Sequence, residues 1–299
     1  MRLLFCSDIL NPREPDSAYH AEVEASKQLN IPFDLINYEA LVYENDAAKA
    51  VRHITAGKQS EAIYRGWMLK PHQYERLTQA LLNQNITLIN SPEQYVHCHH
   101  LPESYPIIEG LTPPSVWMKT AQEIDFDQVM ALLKVFDSKP IIVKDFVKSQ
   151  KYYWDEACFI PSASDRVSVE RVVRRFMELQ GDDLNEGLVF REFINFEPLI
   201  AHAKSGMPLT KEFRVFCAEG KPIYTTRYWS EGDYANSLPV VDQFVDIIAR
   251  IESHFFSMDI AKQLDSGWMI VELGDGQVAG LPETANPIEF YSALADTFR

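Results

Sequence analysis

The feature that most limits the fold of this chain is an alternation of short apolar runs with helical periods over residues 1–101. RLLFCSD (2–8) reads as a strand, AYHAEVEASKQLN (18–30) as a helix, PFDLINY (32–38) as a strand and EAIYRGWML (61–69) as another. KPHQYERLTQALLNQN (70–85) places Tyr74, Leu77, Leu81 and Leu82 on one side of a helix, and ITLIN (86–90) closes the series as a strand. Such a βαβ rhythm predicts a small, mostly parallel sheet with helices on its faces.

The rhythm changes after the proline-rich passage LPESYPIIEGLTPPS (101–115), which reads as a hinge. Beyond it the pattern predicts a helix near 126–136, the strand IIVKD, a helix over about 169–180 and the strand GLVFREFI (187–194). A third block carries KEFRVFCAEGKPIYTTRYW (211–229), two strand-like runs about Glu219-Gly220-Lys221 and hence a hairpin. A helix over about 240–256, a strand pair over WMIVELGDGQVAGL (268–281) and a final helix near 287–298 complete the reading. The expected division is 1–101, 102–190 and 191–299, with no internal repeat.

Composition bounds the function. The 299 residues are 46% hydrophobic and 24% charged, as in soluble globular proteins, and are enough for two or three subdomains. Twenty-eight basic against 43 acidic residues leave a net charge of −15, which opposes broad adhesion to nucleic acid or to an anionic membrane. Any polyanion must therefore meet a local basic pocket. Cys6, Cys98, Cys158 and Cys217 are scattered, which suits a reducing compartment. MRLLFCSDIL is too short an apolar run for a signal peptide, and no stretch is long enough to span a bilayer, so a cytoplasmic location is expected.

Several familiar chemistries are missing. No GxGxxG follows a strand and no GxxxxGK[ST] occurs, so phosphate, if bound, is held mostly by side chains. There is no GxSxG elbow. HCHH at His97–His100 lacks a second pair of ligands at finger-like spacing, and four consecutive residues do not converge on one ion, so structural use is expected.

The charged residues are more informative. IIVKDFVKSQKYYW (141–154) sets Lys144 at the end of an apolar strand and follows it with Lys148 and Lys151. Two readings stand side by side: a solvated face, or three cations that converge. Convergence costs roughly 4 kcal/mol per pair at about 4 Å and an effective dielectric near 20, so it requires a multivalent anion. LVFREFINFEPL places Arg191, Glu192 and Glu197 about the end of a strand, with Phe193 and Ile194 offering apolar cover for a base; cross-strand surface charges are the alternative. EFRVF and TTRYW put Arg214 and Arg227 on adjacent strands, suited to phosphate or to structural carboxylates. Asp259 follows the helix expected at 240–256, and Glu272 and Asp275 end the strand WMIV. These are hard oxygen donors of the kind Mg²⁺ takes when it also bridges phosphates, or loop carboxylates that cap backbone amides.

In that order, lysines, a hinge, arginines and acids resemble the Mg-ATP site of ATP-grasp proteins, and the likeness runs along nearly the whole chain. PIIVKD, VFREFI, EFRVF and the late D...VEL carry it; YRGW (64–67) and LINSPEQ (88–94) resemble the domain that precedes the grasp. KDFVKSQKYYW, REFI, EFRVF, RYW and ELGDGQVAGLP are most similar to the R2K clade, with a weaker similarity to the cell division cycle protein 123 family of ATP-binding assembly chaperones. The resemblance implies an α/β and α+β fold, with a parallel pre-grasp domain followed by a two-lobed grasp. It implies ATP phosphates on Lys144 and Lys151, with Lys148 a further candidate, and adenine on the backbone of Glu192 and Ile194. Glu197 would meet the ribose, Arg214 and Arg227 would face the phosphates, and Asp259 and Glu272 would hold Mg²⁺. Where many grasp enzymes place an Asn two residues after the last metal-binding Glu, this chain has Gly274 and then Asp275, which puts a second metal in question.

The implied function is an ATP-dependent carboxylate–amine ligase acting through an acyl phosphate, with Arg65 either gripping the substrate carboxylate or making a structural ion pair. The alternatives are an ATP-dependent protein-binding module and a phosphotransferase. Substrate contacts are expected from the loops at 150–157 and 230–238.

Overall fold

A computed structural model describes residues 1–55, 57–120, 123–201, 207–235, 237–264 and 267–298. The opening alternation folds as a four-stranded parallel sheet of β1 (Arg2–Cys6), β2 (Phe33–Ile36), β3 (Ser60–Arg65) and β4 (Ile86–Leu88), in the order β2-β1-β3-β4. β3 is shorter than its apolar run and ends at Arg65; a Cβ on the next residue, Gly66, would lie 2.4 Å from the Tyr64 ring. The expected helix at 70–85 is Pro71–Leu82, with proline in the first turn where no amide is missed.

The proline-rich passage is a helix, Leu101–Ile108, followed by a connecting loop. The middle of the chain forms an antiparallel sheet of β5 (Ser115–Lys119), β6 (Ile141–Asp145), β7 (Phe159–Ile160) and β8 (Gly187–Glu192), in the order β5-β8-β6-β7. Helices Phe126–Leu133 and Arg166–Gln180 bury Val129, Leu133, Val169, Val172, Val173 and Phe176 in the core of this small lobe.

The third sheet is antiparallel, preceded by a small hairpin of β9 (Pro198–Ala201) and β10 (Pro208–Thr210). It contains β11 (Glu212–Ala218), β12 (Lys221–Arg227), β13 (Phe255–Lys262) and β14 (Trp268–Asp275), in the order β12-β11-β13-β14. The β11–β12 turn has Glu219 at φ 49° and Gly220 at φ 70°, the left-handed pair that a tight hairpin requires.

Two sequence expectations fail here. The helix expected over 240–256 shrinks to turns at Val241–Phe244 and Val245–Ile248, because FFSMDIA is buried on both faces as a central strand between β11 and β14. The strand pair expected over 268–281 is a single strand that ends at Asp275, after which the chain turns into a loop. The last helix, Pro287–Thr297, joins two blocks: Phe290 packs on Phe216 (4.7 Å) and Tyr224 (5.8 Å) of the third sheet. Phe290, Tyr291 and Leu294 share one core with Leu3, Phe5 and Tyr64 of the N-terminal sheet. Among the described residues no helix is long and apolar enough to cross a membrane.

Candidate active site

Lys144 is the penultimate residue of β6 and is 5% exposed. Such burial is costly for an ammonium unless it is paired, and its Nζ donates to Glu272 of β14, so the small lobe and the third sheet meet through this pair. The next residue, Asp145, is fully buried and accepts five hydrogen bonds: from the amides of Val147 (2.6 Å), Lys148 and Asn185 (3.1 Å), and from Gln180 Nε2 (2.6 Å) and Asn185 Nδ2 (2.8 Å). Gln150 in turn donates to Gln180. The loop after β6, which carries Lys148 and Lys151, is thus wound around one carboxylate.

On the third sheet, antiparallel register sets Arg214 of β11 opposite Asp259 of β13, and Asp259 opposite Glu272 of β14. Arg214 clasps Asp259 through Nε (2.8 Å) and Nη2 (2.7 Å), reaches the Gly280 carbonyl at 2.8 Å and lies 4.8 Å from the Tyr228 ring centroid. Burial opposes charge on Arg214, yet Asp259 holds the guanidinium above its ordinary value. Burial likewise opposes charge on Glu272, and Lys144 holds its carboxyl below the usual range. Lys151 sits over the rings of Trp229 (5.0 Å) and Tyr228 (5.6 Å); burial opposes its charge, but Tyr228, Glu212 and Glu272 hold it up.

These groups line two adjoining cavities. The first, about 420 Å³, is mostly apolar; its wall includes Ile142, Phe193, Ile194, Trp229 and Val271, with Lys144, Arg191, Glu192 and Glu212 as its charged members apart from the shared Lys151 and Glu272. The second, about 310 Å³, is lined by Met68, His99, Lys148, Arg214, Asp259, Asp275 and the loop Val278 to Gly280. Ser149, Lys151, Tyr228 and Glu272 belong to both. Among the described residues the Ile194 amide, on the wall of the first cavity, makes no hydrogen bond.

Several predicted site residues are brought together and several are not. Lys144, Lys151, Glu192, Phe193, Ile194, Arg214, Asp259 and Glu272 all line one cavity or the other. Arg191 also does, but its donors reach the carbonyls of Val271 and Ile270 (3.2 Å) and the Thr112 hydroxyl, so it straps β8 to β14; burial pushes it down to about 10. Arg227 stands opposite Phe213, one residue out of step with Arg214, and so projects from the other face of the sheet; it lies over Tyr234 and lines neither cavity. The two arginines therefore do not converge. Glu197 is tied to Lys211 (2.5 Å) and Lys262 (3.1 Å) and also lines neither cavity.

Asp275 is fully buried, and its carboxylate is taken up by Asn90 Nδ2 (2.6 Å) and by the Gln277 amide (2.9 Å), with burial pushing it up to about 7. Arg65 is 1% exposed and donates to Glu22 (2.9 Å) and to the carbonyls of Gly276 (2.5 Å) and Ala279 (2.8 Å). It acts as a buried clasp between the N-terminal block and the C-terminal loop, and Tyr291 shares its Glu22 partner.

The histidines join an aromatic row: His99 packs on Tyr95 at 4.9 Å and on His100 at 6.0 Å, with burial pushing His99 down to about 3, and His100 lies against Phe146. Among the described residues no group of three or more His, Cys, Asp or Glu is placed to hold a metal unaided. Of the loops singled out, 150–157 forms two helical turns, Lys151–Tyr153 and Trp154–Ala157, and Asn236 in 230–238 lies outside the described residues.

The residue that sequence reasoning passed over is Glu212. It is 8% exposed, lines the first cavity, and its carboxylate has no hydrogen-bond or ion-pair partner among the described residues; burial and then Asp259 push it up to about 8. The signal was present in EFRVF, since strand alternation sends Glu212 to the same face as Arg214.

Solved structures share this architecture along the whole chain. D-cycloserine synthetase DcsG is 13% identical, with a TM-score of 0.61 and 100% of both chains covered. The ATP-grasp ligase PsnB, complexed with a phosphomimetic variant of its minimal precursor, Mg and ADP, is 14% identical, with a TM-score of 0.58 over 100% of this chain and 98% of that one. D-alanine–D-alanine ligase from Bacillus anthracis, complexed with ATP, is 12% identical, with a TM-score of 0.59 over 99% and 96%. At such identities the likeness is one of fold, and the fold is the ATP-grasp. The chain belongs to the ATP-grasp domain family R2K clade family 3, whose model matches residues 134–294, more than half of its length. No curated protein matches the sequence.

Proposed function

We propose that the protein is a Mg-ATP-dependent ligase that joins a carboxylate to an amine. The observation that carries this reading is the meeting of an apolar cavity and a polar cavity at Lys151 and Glu272, with Lys144 and Arg214 on either side. Adenine suits the first cavity, between Phe193 and Val271, where the Ile194 amide supplies a donor. Glu212, an acid without a partner, suits the two hydroxyls of ribose better than Glu197, whose oxygens are spent on lysines. Lys144, Lys151 and Arg214 then surround the phosphates at the junction.

Asp259 and Glu272 fit Mg²⁺. They are hard donors on one face of paired strands, and two carboxylates plus phosphate oxygens make up the usual magnesium shell. Their charges are met here by Arg214 and Lys144, cations that an incoming metal and phosphates can re-partner. When bound, the ion would neutralise charge on the phosphates. Asp275, enclosed by Asn90 and Gln277, is left out of this set.

The acceptor enters by the second cavity. Its carboxylate oxygen bonds to the γ-phosphorus as the bridging P–O bond breaks, and that electron pair leaves with ADP. A neutral amine then attacks the acyl carbon, phosphate departs with the C–O pair, and the nitrogen sheds its proton to solvent. The protein's part is charge neutralisation and placement, with no protein nucleophile. The test is release of ADP and phosphate that depends on both a carboxylate and an amine. Lys144→Ala and Glu272→Ala should each abolish it in protein whose circular dichroism is unchanged. Tight ATP binding without turnover across a broad substrate panel would count against the ligase reading.

A further inference from the structure

The three lysines of IIVKDFVKSQKYYW are divided between the cavities. Lys144 lines only the first, Lys151 lines both, and Lys148 lines only the second. This division is built into the loop: Asp145 holds the Val147 and Lys148 amides, the Lys148 carbonyl accepts from the Asp145 amide at 2.9 Å, and Gln150 is held through Gln180. Among the described residues Lys148 forms no ion pair, whereas the other cation unique to this cavity, Arg214, is committed to Asp259 and the Gly280 carbonyl.

The wall of the second cavity draws on two further parts of the chain: Met68 from the N-terminal block, and Val278, Ala279 and Gly280 from the C-terminal loop. That loop is fixed by Arg65 through the Gly276 and Ala279 carbonyls. A volume of about 310 Å³ stands at the lower end of small-molecule sites and suits an acceptor of amino-acid size. His99, kept neutral by burial, brings no competing positive charge.

We infer that this cavity takes a small free carboxylic acid of amino-acid size, whose carboxylate pairs with Lys148 beside the γ-phosphate. The inference rests on the ligase reading and adds the acceptor's class and the residue that selects it. Lys148 is then a specificity determinant, and the phosphates belong to Lys144, Lys151 and Arg214.

The experiment supplies ATP, Mg²⁺ and hydroxylamine as the amine, with three sets of acceptor: the free amino acids in both configurations, their primary amides, and peptides of ten residues. ADP release and hydroxamate formation are followed. At least one free acid should support turnover while its amide does not. Lys148→Ala should raise the KM for that acid more than tenfold and leave the KM for ATP within twofold, and Lys148→Arg should restore most of the loss. The inference is overturned if Lys148→Ala raises both KM values alike, or if only the peptides respond, in which case the ligase reading stands. If no carboxylate of any size releases ADP, both fall.

Discussion

Asp145 and Glu212 are both buried acids beside the same pair of cavities, and they are opposites. Asp145, in the small lobe, is fully enclosed and accepts five hydrogen bonds. Glu212, on the third sheet, accepts none among the described residues, and its proton is held up to about 8. A saturated carboxylate organises the chain around it, because each donor it satisfies would otherwise be stranded. An unsaturated one lining a cavity is an acceptor in want of donors, and a nucleoside diol offers two.

The largest effect should come from emptying the saturated site. Asp145→Ala strands donors that cost about 1–3 kcal/mol each when buried unpaired, so a loss of at least about 3 kcal/mol is expected in thermal or denaturant unfolding. The loop carrying Lys148 and Lys151 should loosen with it. Affinity for a non-hydrolysable ATP analogue, measured by calorimetry, should fall at least tenfold, while affinity for adenosine, which lacks phosphates, should hold within threefold. Equal losses for both ligands would show that Asp145 supports the lobe as a whole and has no special hold on the lysine loop.

Glu212→Gln should act the other way round, costing nucleoside affinity while sparing the fold. Above about pH 8, where Glu212 is ionised, hydrogen bonds to it are worth about 1.5–3 kcal/mol, so adenosine affinity measured there should drop roughly tenfold or more. The stability sign follows from the raised folded-state value. Burial favours the protonated acid, so its contribution is full below the ordinary carboxylate range and is lost as pH rises through about 8. Scanning calorimetry of the ligand-free wild type should show a melting temperature that declines across that window. The Gln variant should be flatter, and an unchanged slope would mean that Glu212 has a partner in solution.

The same contrast explains what was legible in the sequence. Strands announce themselves when their faces differ, as in EFRVF, or when flanked by turn residues, as in IIVKD after Lys139-Pro140. FFSMDIA gave no such cue: buried on both faces, it has no period to separate it from a helix, and it was read as the end of one. Asp259, expected just after that helix, stands in mid-strand opposite both Arg214 and Glu272. Lysines and arginines could be read as a set, because like charges in an acidic chain ask for an anion. Which of them converge was not legible, since one residue of register sends Arg227 to the far face. For Arg65 and Asp275 the choice between a ligand and a structural partner was not legible for a related reason. Their partners, Glu22 and Asn90, lie 43 and 185 positions away, beyond the reach of local pattern.

The smallest predicted effect is the sharpest test of which acid meets the nucleoside. Glu197 sits where the resemblance expects a ribose contact, yet it is bound to Lys211 and Lys262 and stands outside the first cavity, while Phe196 and Pro198 on either side of it line the wall. Partly exposed ion pairs of this kind contribute about 0–1 kcal/mol, so Glu197→Ala should barely move stability. Freed of its partner, Lys211 remains close to Ser237, 3.5 Å away, and β11 should keep its place. Adenosine and ATP-analogue affinities should therefore change less than twofold, against the tenfold expected for Glu212→Gln. A tenfold loss on removing Glu197 would return the ribose to the hinge acid, and Glu212 would then be a buried carboxylate whose cost to the fold no ligand offsets.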